Sequence, residues 1–131
     1  MHFDSHQEYS QHAFNVDREH FQADVIDASR QKPILVDFWA EWCAPCRHLT
    51  PHLNRVVNER NGGIMLAKVE VDERDNMKLA GQFRLRGFPT VILFQDGEER
   101  GRFSGSRSPH QLREWIDQHL DTSRQEAHRA A

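Results

Sequence analysis

The chain has 131 residues and a formal net charge of −3, a length that fits one domain with short tails and buries a core without disulfides or a structural metal. That charge argues against a broad basic face for nucleic acid, and no apolar run approaches the roughly 18 residues that mark a membrane span. Its two cysteines, Cys43 and Cys46, leave no thiol for a disulfide framework, and the polar, His-rich start lacks the cationic and apolar regions of a secretory leader, so the chain reads as a protein of the reducing cytosol.

In chain order, residues 1–13 carry no apolar periodicity and read as a disordered polar arm. Asp17 is placed to cap a helix running to about Arg30, with Phe21, Val25, Ile26 and Ala28 on one side, and Lys32-Pro33 stops it. Residues 34–40 form a continuous apolar run broken only by Asp37, the pattern of a strand buried on both faces. A helix follows on Cys46, Leu49, Leu53, Val56 and Val57, with Pro51 inside it as an expected kink and Asn61-Gly62-Gly63 at its end. Residues 64–71 read as a second central strand. A short helix is expected over 75–83 with Met77, Ala80 and Phe83 inward. Residues 90–94 and 99–103 pair as a hairpin around Asp96-Gly97. Ser108 caps the last helix, Pro109 takes its first position, and Leu112, Trp115, Ile116 and Leu120 form its buried face. The polar stretch 121–131 extends that helix or frays. The order β-α-β then β-β-α implies an α/β fold with a mixed sheet and helices on both faces.

Cys43 and Cys46 stand in a C-x-x-C spacing with Ala44-Pro45 between them. A strand feeding directly into a helix puts Cys43 at the helix N-terminus, where free N–H groups and the positive dipole end favour a thiolate. Cys46 lies one turn on, within reach of Cys43 sulfur and less exposed. Cys43 is then the nucleophile that attacks a substrate disulfide, and Cys46 resolves the mixed disulfide. Pro45 fixes φ at the helix start and stiffens the loop. The alternative, half of a zinc site, lacks the second ligand pair that zinc requires, so no metal is expected.

A carboxylate in an apolar strand is costly unless it is used or paired. Burial would raise the pKa of Asp37 and fit it to relay a proton near neutral pH; the alternative is an Asp at a sheet edge or tied to a neighbouring strand, and the strand pattern leaves both open. Lys68 could partner it across the sheet, although the pattern alone favours a solvated strand lysine. His48 and His52 are four apart on the helix and could face one side. Without further ligands they read as solvated residues rather than a metal site, with His48 able to tune the cysteines electrostatically. His2, His6 and His12 read as part of a polar arm, and Trp39, Trp115 and Phe94 as core.

The segment Ile34-Leu35-Val36-Asp37-Phe38-Trp39-Ala40-Glu41-Trp42-Cys43-Ala44-Pro45-Cys46-Arg47, with Pro51 and Phe88-Pro89-Thr90, resembles the thioredoxin family from about Val16 to Leu120. The region from Gln82 to Thr90 also resembles the thioredoxin domain of bacterial chaperone-type thioredoxin proteins, whose helical repeats have no room here. The resemblance implies the thioredoxin fold, a central mixed sheet flanked by four helices, over 14–120, and a redox-active Cys43–Cys46 disulfide with no bound cofactor. It implies that Asp37 is the buried carboxylate that assists deprotonation of Cys46 and that Lys68 is its partner. It makes Pro89 the cis-proline packed against the cysteines, although alone it reads as an ordinary strand-start proline. Phe88 falls where the backbone pairs with an extended substrate chain, while Trp42, Ala44, Pro45, Gly87 and Gly105 fall on the substrate groove. Departures are Ala44 for the usual Gly, Arg47 for the usual Lys, a stretch 72–89 about two residues longer than usual, and polar Ser104, Ser106 and Arg107 around Gly105, which make the groove more polar.

The function implied is reduction of protein disulfides by a cytoplasmic monomer, taking disulfide-containing client proteins and recycled by an NADPH-dependent thioredoxin reductase, with no nucleic acid or membrane partner. A chaperone-like binding module using the groove near Phe88 is the rival from another class. An oxidase or isomerase shares the chemistry but usually has His between its cysteines, so Ala-Pro points to a reducing potential of roughly −270 mV.

Overall fold

The computed structural model describes residues 11–122. Five strands make one sheet in the order β1-β3-β2-β4-β5: β1 Ala13–Asn15, β2 Ile34–Trp39, β3 Met65–Glu70, β4 Thr90–Gln95 and β5 Glu98–Ser104. β1, β3 and β2 are mutually parallel, and β4 and β5 run antiparallel, so the sheet is mixed. The helices are α1 Arg18–Phe21, which continues as a π-helical stretch Gln22–Asp27 and a 3-10 turn Ala28–Arg30, then α2 Ala44–Asn58, α3 Asn76–Gln82 and α4 Pro109–His119.

The core divides by sheet face. Ile34, Val36 and Phe38 pack with Phe21, Val25, Val69, Leu79 and Phe94 on one side. Leu35 packs with Leu49, Leu53, Leu66, Val91, Phe103, Leu112 and Trp115 on the other. Covered on both faces, β2 is buried from Ile34 to Phe38, which is why its sequence runs apolar instead of alternating. Phe21 anchors the first layer, with ring centroids 6.4 Å from Phe38, 5.5 Å from Phe83 and 6.0 Å from Phe94.

The ends of the elements follow their local chemistry. The Asp17 carboxylate accepts the His20 N–H at 3.0 Å, and Ser108 and Gln111 form a reciprocal capping box with Pro109 at the helix start. Asp96 and Gly97 both have positive φ, 55° and 80°, as a two-residue hairpin turn requires. Ser29 fastens that turn from below: its Oγ accepts the Gly97 N–H at 2.9 Å and its carbonyl accepts the Asp96 N–H at 2.9 Å. α2 runs through Pro51 to Asn58.

The structure adds to or departs from the sequence reading at four places. β1 begins at Ala13, and the His12 carbonyl accepts the Leu66 N–H at 2.8 Å, so ordered pairing starts inside the span read as arm. Three residues at a parallel edge are too short to show periodicity. Asp121 is tied to Gln95 through its N–H and its carbonyl, both at 2.8 Å, and α4 ends at His119, so of the two readings of 121–131 the helix does not continue into Asp121. Lys68, read from the pattern alone as solvated, is 8% exposed. In α3 the inward positions are Asn76, Leu79 and Ala80, while Met77 is 48% exposed. The buried polar residue displaced the apolar one because Asn76 ties three elements. Its Nδ2 donates to the Glu70 carbonyl at 2.9 Å and its Oδ1 accepts the Arg18 N–H at 2.9 Å. The remainder of the arm, with His2 and His6, and of the C-terminal stretch lie outside the described residues.

Asn76→Ala removes the partners of the part-buried Glu70 carbonyl and Arg18 amide, and urea denaturation should show a loss of about 1–3 kcal/mol. Met77→Ala, on the open side of the same helix, should change stability by less than roughly 0.5 kcal/mol.

Candidate active site

β2 delivers the site. It ends at Trp39, the chain turns through Ala40, and the Cys43 N–H donates back to the Ala40 carbonyl at 3.1 Å. Cys43 is then the N-cap of α2 in extended backbone, φ −99° and ψ 103°, and Ala44 and Pro45 are the exposed first residues of the helix. Cys43 and Cys46 form a disulfide with Cα atoms 5.2 Å apart. Cys43 is 5% exposed and Cys46 fully buried, so a partner meets Cys43 first. The Cys46 N–H points at Cys43 Sγ from 3.3 Å. That amide, with the dipole end of α2, is the donor that would stabilise a Cys43 thiolate once the disulfide is reduced.

The wall beside Cys43 is the segment 87–90. The Phe88–Pro89 peptide is cis, and the Phe88 carbonyl oxygen lies 3.5 Å from Cys43 Sγ. The Trp42 ring stands edge-on to Phe88 at 6.2 Å and is 64% exposed, held there by its Nε1–H donating to Asp72 at 2.6 Å. Gly105, with φ 89°, donates its N–H to the Pro89 carbonyl at 2.9 Å, and the Thr90 hydroxyl donates to the Gly87 carbonyl at 2.7 Å. Phe88 thus lies against Cys43 and Trp42, while Gly87 and Gly105 are tied to Thr90 and Pro89 on the same segment.

Beneath it, Asp37 is fully buried. In the sheet register it lies opposite Lys68 on β3 and Val91 on β4. Its Oδ2 accepts the Thr50 hydroxyl at 2.7 Å, while Oδ1 is buried with no hydrogen-bond partner. Burial pushes the pKa up from 3.8 to about 6, with the Thr50 hydrogen bond and the Lys68 charge pulling the other way. Lys68 attracts Asp37 through the sheet, and the two make no direct ion pair. Instead Lys68 borders an open cleft of about 270 Å³ with Trp39, Glu41, Glu70 and Glu73. In that acidic rim the Glu70 carboxyl is raised, first by burial and then by Glu73, Glu41 and Asp72.

Thr50 and Asp72 went unread in the sequence. The available signal for Thr50 was a hydroxyl one turn after Cys46 on the sheet-facing side of α2; Asp72 gave none. The His48 and His52 rings do meet, with centroids 5.3 Å apart, and His52 Nδ1 bonds the Arg107 carbonyl at 3.2 Å. Among the described residues no cluster of three or more His, Cys, Asp or Glu could hold a metal.

The thioredoxin family model matches residues 12–118. The chain is 39% identical to thioredoxin C-2 of Corynebacterium nephridii over 106 residues, 81% of this chain and 94% of the relative. It is 36% identical to the thioredoxin of Pseudomonas aeruginosa over 111 residues, 85% of this chain and 99% of the relative. With the thioredoxin of Rickettsia felis it shares 34% identity over 108 residues, 82% and 99% of the two chains.

The raised Asp37 pKa has a consequence for stability. Native Asp37 keeps its proton up to about pH 6, whereas the unfolded carboxyl loses it near 3.8. The native state therefore binds the extra proton in that window, and stability falls as pH rises through it. Urea denaturation of the oxidised protein at pH 4 and pH 7.5 should show wild type losing up to about 3 kcal/mol relative to Asp37→Asn across the interval.

Proposed function

We propose that this chain, which belongs to the thioredoxin family, serves as a cytoplasmic, monomeric reductant of protein disulfides recycled by an NADPH-dependent thioredoxin reductase. It is a thiol–disulfide oxidoreductase, and its redox group is the Cys43–Cys46 pair. The observation that carries the proposed order of attack is the asymmetry of that pair: Cys43 reaches the surface at a helix N-terminus, and Cys46 is closed off behind it.

In the reading we favour, the Cys43 thiolate attacks one sulfur of a client disulfide. A Cys43–client bond forms, the client S–S bond breaks, and the departing client sulfur takes a proton from solvent. The Cys46 thiol then gives its proton to Asp37 and attacks Cys43 Sγ. The Cys43–Cys46 bond forms as the Cys43–client bond breaks, and the client leaves with two electrons more than it brought. Asp37 suits the base role because its pKa of about 6 leaves it ionised yet basic near neutral pH. Lys68 supports the ionised form by its charge. Phe88 and Pro89 offer the backbone edge along which an extended client segment lies, with Trp42, Ala44, Pro45, Gly87 and Gly105 as its rim. The cycle uses no metal and no bound organic cofactor. Among the described residues no helix is long and apolar enough to cross a membrane.

Insulin reduction driven by NADPH and a thioredoxin reductase tests the cycle. Cys43→Ser should have no turnover. Cys46→Ser should stall as a covalent adduct with the client, seen as a mass increase that dithiothreitol removes. Full turnover by either variant would end the two-cysteine mechanism.

A further inference from the structure

The Thr50 hydroxyl carries one proton and stands between two acceptors, Asp37 Oδ2 at 2.7 Å and the Cys46 carbonyl at 3.1 Å. The other Asp37 oxygen, Oδ1, is buried and has no partner. We infer that Thr50 is a positioning residue for the resolving step: it occupies Oδ2 and so assigns Oδ1 as the oxygen that takes the Cys46 proton. This inference rests on the reading of Asp37 as the base.

The geometry provides both the bias and the release. While Asp37 is ionised, the hydroxyl proton goes to Oδ2, because a charge-assisted hydrogen bond is stronger than one to a neutral carbonyl. Once Oδ1 is protonated, Oδ2 becomes a weaker acceptor, and the hydroxyl can turn to the Cys46 carbonyl without leaving its rotamer well. Both states keep the hydroxyl satisfied, as a buried polar group requires. Thr50 therefore favours the form of Asp37 that can accept a proton, and it does so from the helical turn that follows Cys46. It is also fixed in place: a β-branched side chain inside a helix has restricted χ1, and Leu49 and Leu53 on either side are fully buried. The groups facing Asp37 are few. Lys68 lies opposite it on β3, Thr50 bonds it from α2 one turn after Cys46, and β4 presents the apolar Val91. Removing the hydroxyl leaves Lys68 as the one charge among the described residues that holds the pKa of Asp37 down against burial.

Reduced protein mixed in stopped flow with excess of an aromatic disulfide releases one absorbing thiol when Cys43 attacks. It releases a second when Cys46 resolves the adduct, and that phase is independent of reagent concentration. The pH profile of the second phase is the readout. Thr50→Val, nearly the same volume without the hydroxyl, should move its midpoint upward by roughly one pH unit, as loss of a hydrogen bond to a charged group implies, and leave the first phase unchanged. Thr50→Ser should restore the wild-type profile. Asp37→Asn should abolish the titration. If Asp37→Asn keeps the wild-type profile, the base reading itself fails. If Asp37→Asn flattens the profile but Thr50→Val overlays wild type, the role of Thr50 is overturned. If Thr50→Ser shifts as far as Thr50→Val, packing rather than the hydroxyl is responsible, and the inference is equally overturned.

Discussion

The structure turns on one carboxylate placed where water cannot reach it. Asp37 occupies the centre of β2, the strand covered by α1 and α3 on one face and by α2 and α4 on the other. Burying an ionised carboxyl in such a place costs several kcal/mol unless partners offset it. Here the offset is deliberately incomplete: one oxygen is bonded, the other is bare, and the nearest cation acts at a distance. A fully paired Asp37 would have an acid's ordinary pKa and be a poor base at neutral pH. A wholly unpaired one would stay protonated. The partial compensation places its pKa near 6, which is the useful range for moving a proton to and from a thiol.

The same strand fixes the sulfur chemistry overhead. Because only residues 40–43 separate β2 from α2, the first helical amides and Cys43 arrive together, and the helix brings Thr50, one turn after Cys46, onto Asp37. The start of β4 then closes the opposite side, where Phe88 meets both Cys43 Sγ and Trp42. The reacting bond sits between the N-terminus of α2 and the Phe88–Pro89 segment just before β4, with Trp42 packed on Phe88. Such placement limits the motion between attack and resolution, and proximity of this kind is a large part of what an enzyme contributes to a two-step exchange.

Much of this was legible from local patterns, and the failures have a common cause. The C-x-x-C at a strand-to-helix junction, the apolar run around Asp37, the Asp96-Gly97 hairpin and the Ser108-Pro109 cap each depend on residues close in sequence, and each appears where its pattern places it. The cis peptide at Pro89 was legible only through the family resemblance; its own neighbourhood reads as the start of a strand. What local patterns miss are interactions between distant elements. Asn76 is buried because it bonds Arg18 and Glu70, and a polar residue next to Met77 reads in isolation as the outward one. Lys68 is buried because β1 and β2 cover its strand on both sides. Thr50 looks like a helix filler until Asp37 is placed beneath it.

The polar residues around Gly105 look from the sequence like a change in what the groove offers a client. Their contacts give a different account for two of them. The Ser104 hydroxyl lies 3.0 Å from that of Thr90, and Thr90 in turn holds the Gly87 carbonyl, so Ser104 braces the strand pair that carries Pro89. The Arg107 guanidinium sits 4.3 Å over the Phe103 ring, and its carbonyl is bound to His52, so Arg107 ties the loop before α4 to α2. A cation stacked on a ring and a backbone oxygen bonded to a histidine are both partly spent on the fold. Ser104 and Arg107 thus serve contacts within the fold beside Gly105, and Ser106 is an exposed polar residue next to them.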